Sequence, residues 1–251
     1  MIDRHLEWDG CFNVRDLGGL ATADGRHVRR GALVRSDGLD RLTTAGWAAV
    51  RAHGIRTIVD LRNEQEIGPD AAPRPAGLLT MRVPIDDCAD TAFWEYCWAN
   101  ELDGSPLYYG PFLNQKPTRC AAAVAAVAHA GPGGVLVHCV AGRDRTGLIT
   151  MLLLALAGVR AEDIADDYEL SAVRLSALYA NLGVEDQAVR VRRALARKGT
   201  TARDALLTTL AGLDVAAYLR SAGVRDEDLA SVRARLLEPA DGAAAGRPVL
   251  D

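Results

Sequence analysis

Two periods of apolar and polar residues share this chain, and the change from one to the other marks its elements. Residues 9–35 read as a β-rich opening. Phe12-Asn-Val-Arg-Asp-Leu-Gly-Gly19 is followed by a turn at Asp24-Gly25 and by Gly31-Ala-Leu-Val-Arg-Ser-Asp37. Residues 43–53 predict a short helix, with Thr43 as its N-cap, Trp47 and Val50 on its apolar face and Gly54 as its stop. Thr57-Ile-Val-Asp-Leu61 reads as a buried strand. A Pro/Gly-rich loop over 68–77 follows, and then Leu79, Met81 and Val83 alternate into another strand. An Ala-rich helix is predicted from Thr118 to His129, a turn at Gly131-Pro-Gly-Gly134 and a short apolar strand from Val135 to Val137. Beyond it the period is helical throughout. One helix runs from Thr146 to Gly158, a second through Ile164, Tyr168, Leu175, Leu178 and Leu182 to Gly183, and a third from Asp186 to Lys198. Three short ones follow at Leu206–Leu210, Asp214–Arg220 and Asp226–Leu237.

Strands alternating with helices, then helices alone, predict one α/β unit over residues 1–238. Its central sheet is mainly parallel and flanked by helices, with C-terminal helices packed against it. The Ala/Gly/Pro-rich residues 239–251 are expected to form a disordered tail. One interval fits neither period: Phe93, Trp94, Tyr96, Trp98, Tyr108, Tyr109 and Phe112 crowd into residues 91–112. It reads equally as a packed insertion or as a helical lid, over about 88–112, covering an apolar group of a substrate.

Composition narrows the field. The chain has 251 residues, 49% hydrophobic and 25% charged, which are globular values, and a net charge of −4 gives no general attraction to nucleic acid or an anionic membrane. Five cysteines form no Cys-x-x-Cys pair and no cluster with histidine, which argues against structural zinc. Their odd number, with a reactive candidate among them, points to a reducing cytosol. Met1-Ile-Asp-Arg-His-Leu-Glu has no signal-peptide core, and the run from Leu148 to Val159 is too short to span a bilayer. A cytoplasmic protein without integral membrane contact is expected; a non-classical export route is left open.

The candidate chemistry lies in Val135-Leu-Val-His-Cys-Val-Ala-Gly-Arg-Asp-Arg-Thr-Gly147, where a strand enters a loop and a helix leaves it. Cys139 opens the loop and Arg145 closes it. Helix N-termini and neighbouring cations favour a thiolate. Consecutive N–H groups ahead of a helix form an anion site, here over Val140, Ala141, Gly142, Arg143, Asp144 and Arg145. A guanidinium at the rim grips two oxygens of an oxyanion at once. The other reading of Cys139, a buried inert thiol, fits poorly beside Arg143-Asp144-Arg145.

This run resembles the Cys-x5-Arg protein tyrosine phosphatase superfamily, and most of all its bacterial protein-tyrosine and lipid phosphatase branch, whose loop reads His-Cys-x-x-Gly-Lys-Asp-Arg-Thr-Gly. Arg143 stands where that branch usually carries Lys, which keeps the charge and changes its shape. Phe12 to Gly19, Gly31 with Arg35-Ser36-Asp37, Asp60-Leu-Arg62, Val215 to Arg220 and Gly223-Val224 extend the likeness over roughly residues 10–237. The resemblance implies a phosphatase-like α/β fold and phosphomonoester hydrolysis without metal or other cofactor. Cys139 would be the nucleophile, Arg145 the clamp, Thr146 a donor to the leaving thiolate, and His138 would orient the loop from behind. The substrate would be a phosphorylated protein, phosphotyrosine first, or a phosphoinositide. For the general acid, Asp144 within the loop leads. Asp86, Asp87 and Asp90 compete from a region where the wider superfamily carries a movable acid, Asp87 foremost. Arg15 and Asp16 read as scaffold and His129 as a surface residue; Asp60, at a strand end, reads as a general acid or, more readily, as the partner of Arg62 in an ion pair or turn bond. The basic face of Arg190, Arg192, Arg193 and Arg197 reads as solvated. A sulfurtransferase and an inactive phosphate-binding module are the alternatives. Arg145 argues against the first, which needs no arginine there, and the presence of nucleophile, acid and arginine together argues against the second.

Overall fold

A computed structural model describes residues 4–239. Of the segment 239–251, read above as a disordered tail, all but Pro239 lies outside the described residues.

Among the described residues five strands make one sheet: β1 (Arg15–Asp16), β2 (Leu33–Ser36), β3 (Ile55–Asp60), β4 (Leu79–Arg82) and β5 (Gly134–His138). They lie in the order β1-β2-β5-β3-β4; β1 runs antiparallel to β2, and every other neighbouring pair is parallel. The sheet is therefore mainly parallel, as the alternation predicts. β5 is central and wholly buried, which is why Val135-Leu-Val137 is a continuous apolar run. Its register places His138 beside Ser36 of β2 and Asp60 of β3, so three sequence-distant segments end at one level. Ligands in parallel α/β sheets sit at this carboxyl edge.

Helices cover both faces. α1 (Thr44–Ala52) is capped by the Thr43 side chain, which accepts from Gly46 N–H, and packs Trp47 and Val50 against Ile55, Ile58 and Leu136. On the other face lie α2 (Thr91–Ala99), α3 (Tyr109–Gln115), α4 (Pro117–Ala128) and α5 (Asp144–Leu156), followed by α6 (Ala161–Leu182), α7 (Ala188–Arg197), α8 (Ala202–Ala211), α9 (Val215–Ser221) and α10 (Asp226–Leu236). α5 is buried on nearly every side because it lies between the sheet, α4, α6, α9 and α10. Each of its fully buried leucines contributes about 1.5–3 kcal/mol relative to exposure. That packing fixes the N-terminus of α5, and with it the loop before it.

The aromatic interval holds two helices that the periodicity did not separate. Phe93, Tyr108, Tyr109 and Phe112 are buried in the main core in edge-to-face contacts with ring centroids 5.1–5.8 Å apart. Only Tyr96 and Trp98 face solvent among its aromatics. α2 is capped by Asp90, whose side chain accepts from Phe93 N–H. The basic face of α7 is not simply solvated. Arg190 pairs with Asp103 at 3.0 Å and Arg197 pairs with Glu101, so the helix docks on the acidic turn after α2. No helix among the described residues is long and apolar enough to cross a membrane.

Candidate active site

The loop from Cys139 to Arg143 leaves the central strand and enters α5 at Asp144. Each carbonyl from residue 140 to 143 is tied to a surrounding segment. Val140 O accepts from Gly38 N–H at 2.9 Å, and Ala141 O from Asn13 Nδ2 at 3.0 Å. Gly142 O and Arg143 O accept from Arg35 Nη2 at 2.7 and 3.2 Å. Gly142 has φ of +66°, and a Cβ there would lie 2.3 Å from the Ser36 carbonyl oxygen, so the tight turn requires glycine twice over. Gly147 serves packing: a Cβ would lie 2.6 Å from the Tyr109 hydroxyl and about as close to the Tyr168 ring.

Arg145, in the first turn of α5, directs Nη1 and Nη2 to the two oxygens of Glu66, each at 2.6 Å, and Nη1 also lies 3.0 Å from Asp86 Oδ2. Burial opposes the Arg145 charge, but the Glu66 hydrogen bonds and the charges of Cys139, Asp86 and Glu66 hold it well above the ordinary range. Burial likewise opposes ionisation of Glu66, and its bonds to Arg145 reverse that and lower its pKa. Asp86 goes the other way. Burial raises its pKa, and Glu66 and Asp144 add to the rise, against the opposing pull of Arg145 and Asn63. Its Oδ1 is buried and has no hydrogen-bond partner among the described residues.

The four aspartates read from sequence as candidate acids separate by their partners. Asp144 Oδ1 accepts from the Tyr168 hydroxyl at 2.9 Å, and both its oxygens face Arg143 at 3.0–3.1 Å. Its backbone carbonyl accepts from the Tyr109 hydroxyl at 2.8 Å. Asp87, the alternative acid, pairs instead with Lys116 at 3.3 Å and Arg119 at 3.1 Å, and Asp90 pairs with Lys116. Of the four, Asp86 is the one paired with Arg145; Asp144, which led in the sequence reading, and Asp87, its runner-up, pair elsewhere. Arg143, whose charge was expected to face a phosphate, is buried and committed to Asp144.

Behind the loop, His138 is fully buried, and burial lowers its pKa to about 4. Its Nδ1 donates to the Cys139 carbonyl at 3.1 Å, and Nε2 lies 3.6 Å from Asp60. Asp60 accepts from Arg62 at 2.8–2.9 Å, the ion pair read from the sequence. The Thr146 hydroxyl is buried without a hydrogen-bond partner among the described residues. Arg15 and Asp16 are scaffold: Arg15 binds Asp167 on α6, while Asp16 accepts from Gly18 and Gly31 N–H and faces His53. No group of three or more His, Cys, Asp or Glu placed to hold a metal lies among the described residues.

That Glu66, Asn13, Arg35 and the Tyr109/Tyr168 pair meet the loop and its flanks was not read from the sequence. Glu66 left a trace: Asn63 and Glu66 have capping-box spacing, and Asn63 N–H does donate to the Glu66 carboxylate at 2.8 Å. Chemically the assembly offers a buried thiol, a loop whose carbonyls are tied back and a guanidinium between two carboxyls, one with its pKa lowered and one biased toward its acid form.

Comparison with known proteins agrees with this geometry. Residues 6–238 match the profile of a tyrosine phosphatase family. The chain is 35% identical over 180 residues to H16_A0669 of Cupriavidus necator, a protein itself named only provisionally as a tyrosine-protein phosphatase; the match covers 66% of this chain and 62% of that one. It is 32% identical over 191 residues to the triple specificity protein phosphatase PtpB of Mycobacterium tuberculosis, covering 64% of this chain and 67% of PtpB. With a tyrosine-protein phosphatase of Nostoc commune it shares 32% identity, over 56% of this chain and 48% of the other. The chain thus spans about half to two thirds of these relatives. With the profile match running through the sheet, the loop and the C-terminal helices, the chain belongs to the tyrosine phosphatase family.

Proposed function

We propose that this protein hydrolyses phosphate monoesters through a phosphocysteine intermediate, with phosphotyrosine as its principal substrate. One observation carries the reading: Cys139 lies at the base of a loop whose carbonyls are all tied back, with Arg145 at its far end. Such a loop presents N–H groups to the equatorial oxygens of a phosphoryl group, and Arg145 adds two parallel bonds. The Cys139 thiolate attacks phosphorus in line. An S–P bond forms as the bond to the leaving oxygen breaks, and a carboxylic acid gives that oxygen its proton. Water then attacks the phosphocysteine, the carboxylate takes a proton from it, and the thiolate departs. The unpartnered Thr146 hydroxyl is the donor that stabilises this thiolate.

We assign the acid to Asp86. Asp144 is taken up by Arg143 and Tyr168, contacts that anchor the start of α5. Asp86 has what proton donation needs: burial that favours the neutral form, a position beside Arg145 and a free oxygen.

Cys139 is only 2% exposed, so its partner must reach inward, which suits a long aryl phosphate better than a short alkyl one. The mycobacterial relative is named for triple specificity. Phosphoinositides are proposed as weaker substrates, because the second loop cation, Arg143, is already neutralised by Asp144. A sulfurtransferase would have no use for Arg145. The test is phosphate release from phosphotyrosine peptides and phosphoinositides, with reductant and chelator present. Absence of release from every substrate, or full activity in Cys139→Ser, overturns the reading.

A further inference from the structure

We infer that Asn13 and Arg35 are positioning residues of this reaction, holding the loop's carbonyls outward so that its N–H groups converge on the phosphoryl oxygens. The inference rests on the proposed function for its chemistry and on the geometry for its residues.

In a trans peptide the carbonyl and the following N–H point in opposite directions. Fixing the carbonyls of residues 140 to 143 on one side therefore aims the N–H groups of residues 141 to 144 to the other. Gly38 N–H holds the first carbonyl, Asn13 Nδ2 the second, and Arg35 Nη2 the third and fourth. These donors lie more than a hundred residues from the loop in sequence, on the opening segment and β2. They are fixed in turn. Asp37 accepts from Asn13 N–H at 2.9 Å, and Asn13 Oδ1 accepts from Arg15 Nη1 at 2.7 Å. Arg35 Nη1 donates to Asp167 Oδ2 at 2.8 Å, and Arg15 Nε donates to Asp167 Oδ1 at 2.9 Å. Arg4 joins them at 2.8 Å from Asp167 Oδ1.

The electrostatics act in the same direction. Three guanidiniums, Arg4, Arg15 and Arg35, share the Asp167 carboxylate. Burial opposes the Asp167 charge, yet the three cations lower its pKa far below the carboxylate range. Burial and Arg35 bring Arg15 down to about 10. Arg35 is 1% exposed, with its charge against the back of the loop. Cations placed there stabilise negative charge accumulating on the other side, and little water intervenes to screen them. Arg35 thus contributes both orientation and field, whereas Asn13 contributes orientation alone.

The experiment compares Asn13→Ala, Arg35→Lys and, as a stability control remote from the loop, Leu236→Ala in α10, a fully buried side chain. Melting temperature, kcat and KM, inhibition by vanadate and the rate of Cys139 alkylation by iodoacetate, read by peptide mass with phosphate protection, are measured for each. Loss of one carbonyl tether in Asn13→Ala should lower kcat and weaken vanadate inhibition each by about tenfold, the worth of one hydrogen bond to an oriented group. Alkylation by the iodoacetate anion should slow to a similar extent. Arg35→Lys should lose at least as much in kcat and keep part of the vanadate affinity, since a point charge survives and the two-carbonyl fork does not. Leu236→Ala should lower the melting temperature and leave the other readouts near wild type. If both loop variants change only the melting temperature, as Leu236→Ala does, Asn13 and Arg35 are structural and the inference is overturned. Should Arg35→Lys fail to fold, Asn13→Ala decides alone, because it keeps every ion pair of Asp167 and costs Arg15 only its bond to Asn13 Oδ1. A wild-type protein that releases no phosphate would defeat the proposed function; alkylation needs no turnover and would still judge the positioning role.

Discussion

Arg145 and Glu66 face each other through two parallel hydrogen bonds of 2.6 Å, so the guanidinium proposed to grip phosphate is gripped by a carboxylate of the same fork geometry. Glu66 holds the clamp in its planar orientation, and it also occupies the donors that a phosphoryl group would use. Glu66→Gln removes the anion that competes for Arg145 while loosening its hold. We expect inorganic phosphate to inhibit this variant about fivefold more tightly and kcat to fall, a split visible in initial-rate kinetics. A weaker phosphate affinity would show that orientation outweighs competition.

Arg145→Lys should reduce kcat at least about tenfold, because an ammonium cannot reproduce two parallel bonds to the transferring phosphoryl group. Cys139→Ser should abolish turnover and still bind vanadate. Steady-state rates and vanadate binding by calorimetry check both variants.

Asp86, Asp87 and Asp144 separate by leaving group. Asp86→Asn should slow hydrolysis of an alkyl phosphate by about a hundredfold or more and that of nitrophenyl phosphate far less, since a good leaving group needs no proton. Asp87→Asn should behave almost as wild type. Asp144→Asn should slow both substrates alike by freeing Arg143 and the N-terminus of α5. Leaving-group dependence in Asp144→Asn, with none in Asp86→Asn, would return the acid role to Asp144.

The raised pKa of Asp86 also carries a stability prediction. Between its unfolded and folded pKa values the native state holds more protons than the unfolded one, so stability falls as pH rises through that window. Asp86→Asn should therefore raise the melting temperature at pH 7 and leave it unchanged near pH 3. An equal effect at both values would remove titration as the cause.

His138 gives the opposite slope. Its folded pKa of about 4 lies below the ordinary 6.5, so the unfolded state takes up protons first, and stability is lost as pH falls from about 6.5 toward 4. The displacement corresponds to on the order of 3 kcal/mol. Urea melts across that interval should show a shallower loss for His138→Gln. An unchanged slope would mean that other groups dominate.

The sequence by itself determined the order of the elements outside the aromatic interval, the mainly parallel sheet, the strand–loop–helix at Cys139 and the family. Each of these rests on local chemistry. A buried parallel strand must be apolar throughout, a helix start needs its cap, and a loop folded against Ser36 needs glycine at Gly142. Asp60 with Arg62 was legible for the same reason, as two residues apart on one strand end they cannot avoid each other. What only the tertiary structure decided is which distant groups meet the loop. Asp86 rather than Asp87 reaches Arg145, because Asp87 is drawn to Lys116 and Arg119 on the neighbouring helical segment, and one step along the chain reverses where a side chain points. Asn13, Arg35 and Asp167 come to the back of the loop because β2 pairs with β5 and α6 packs on α5. No periodicity records such contacts, since the carbonyls they satisfy belong to a backbone whose direction is set only when the sheet closes around it.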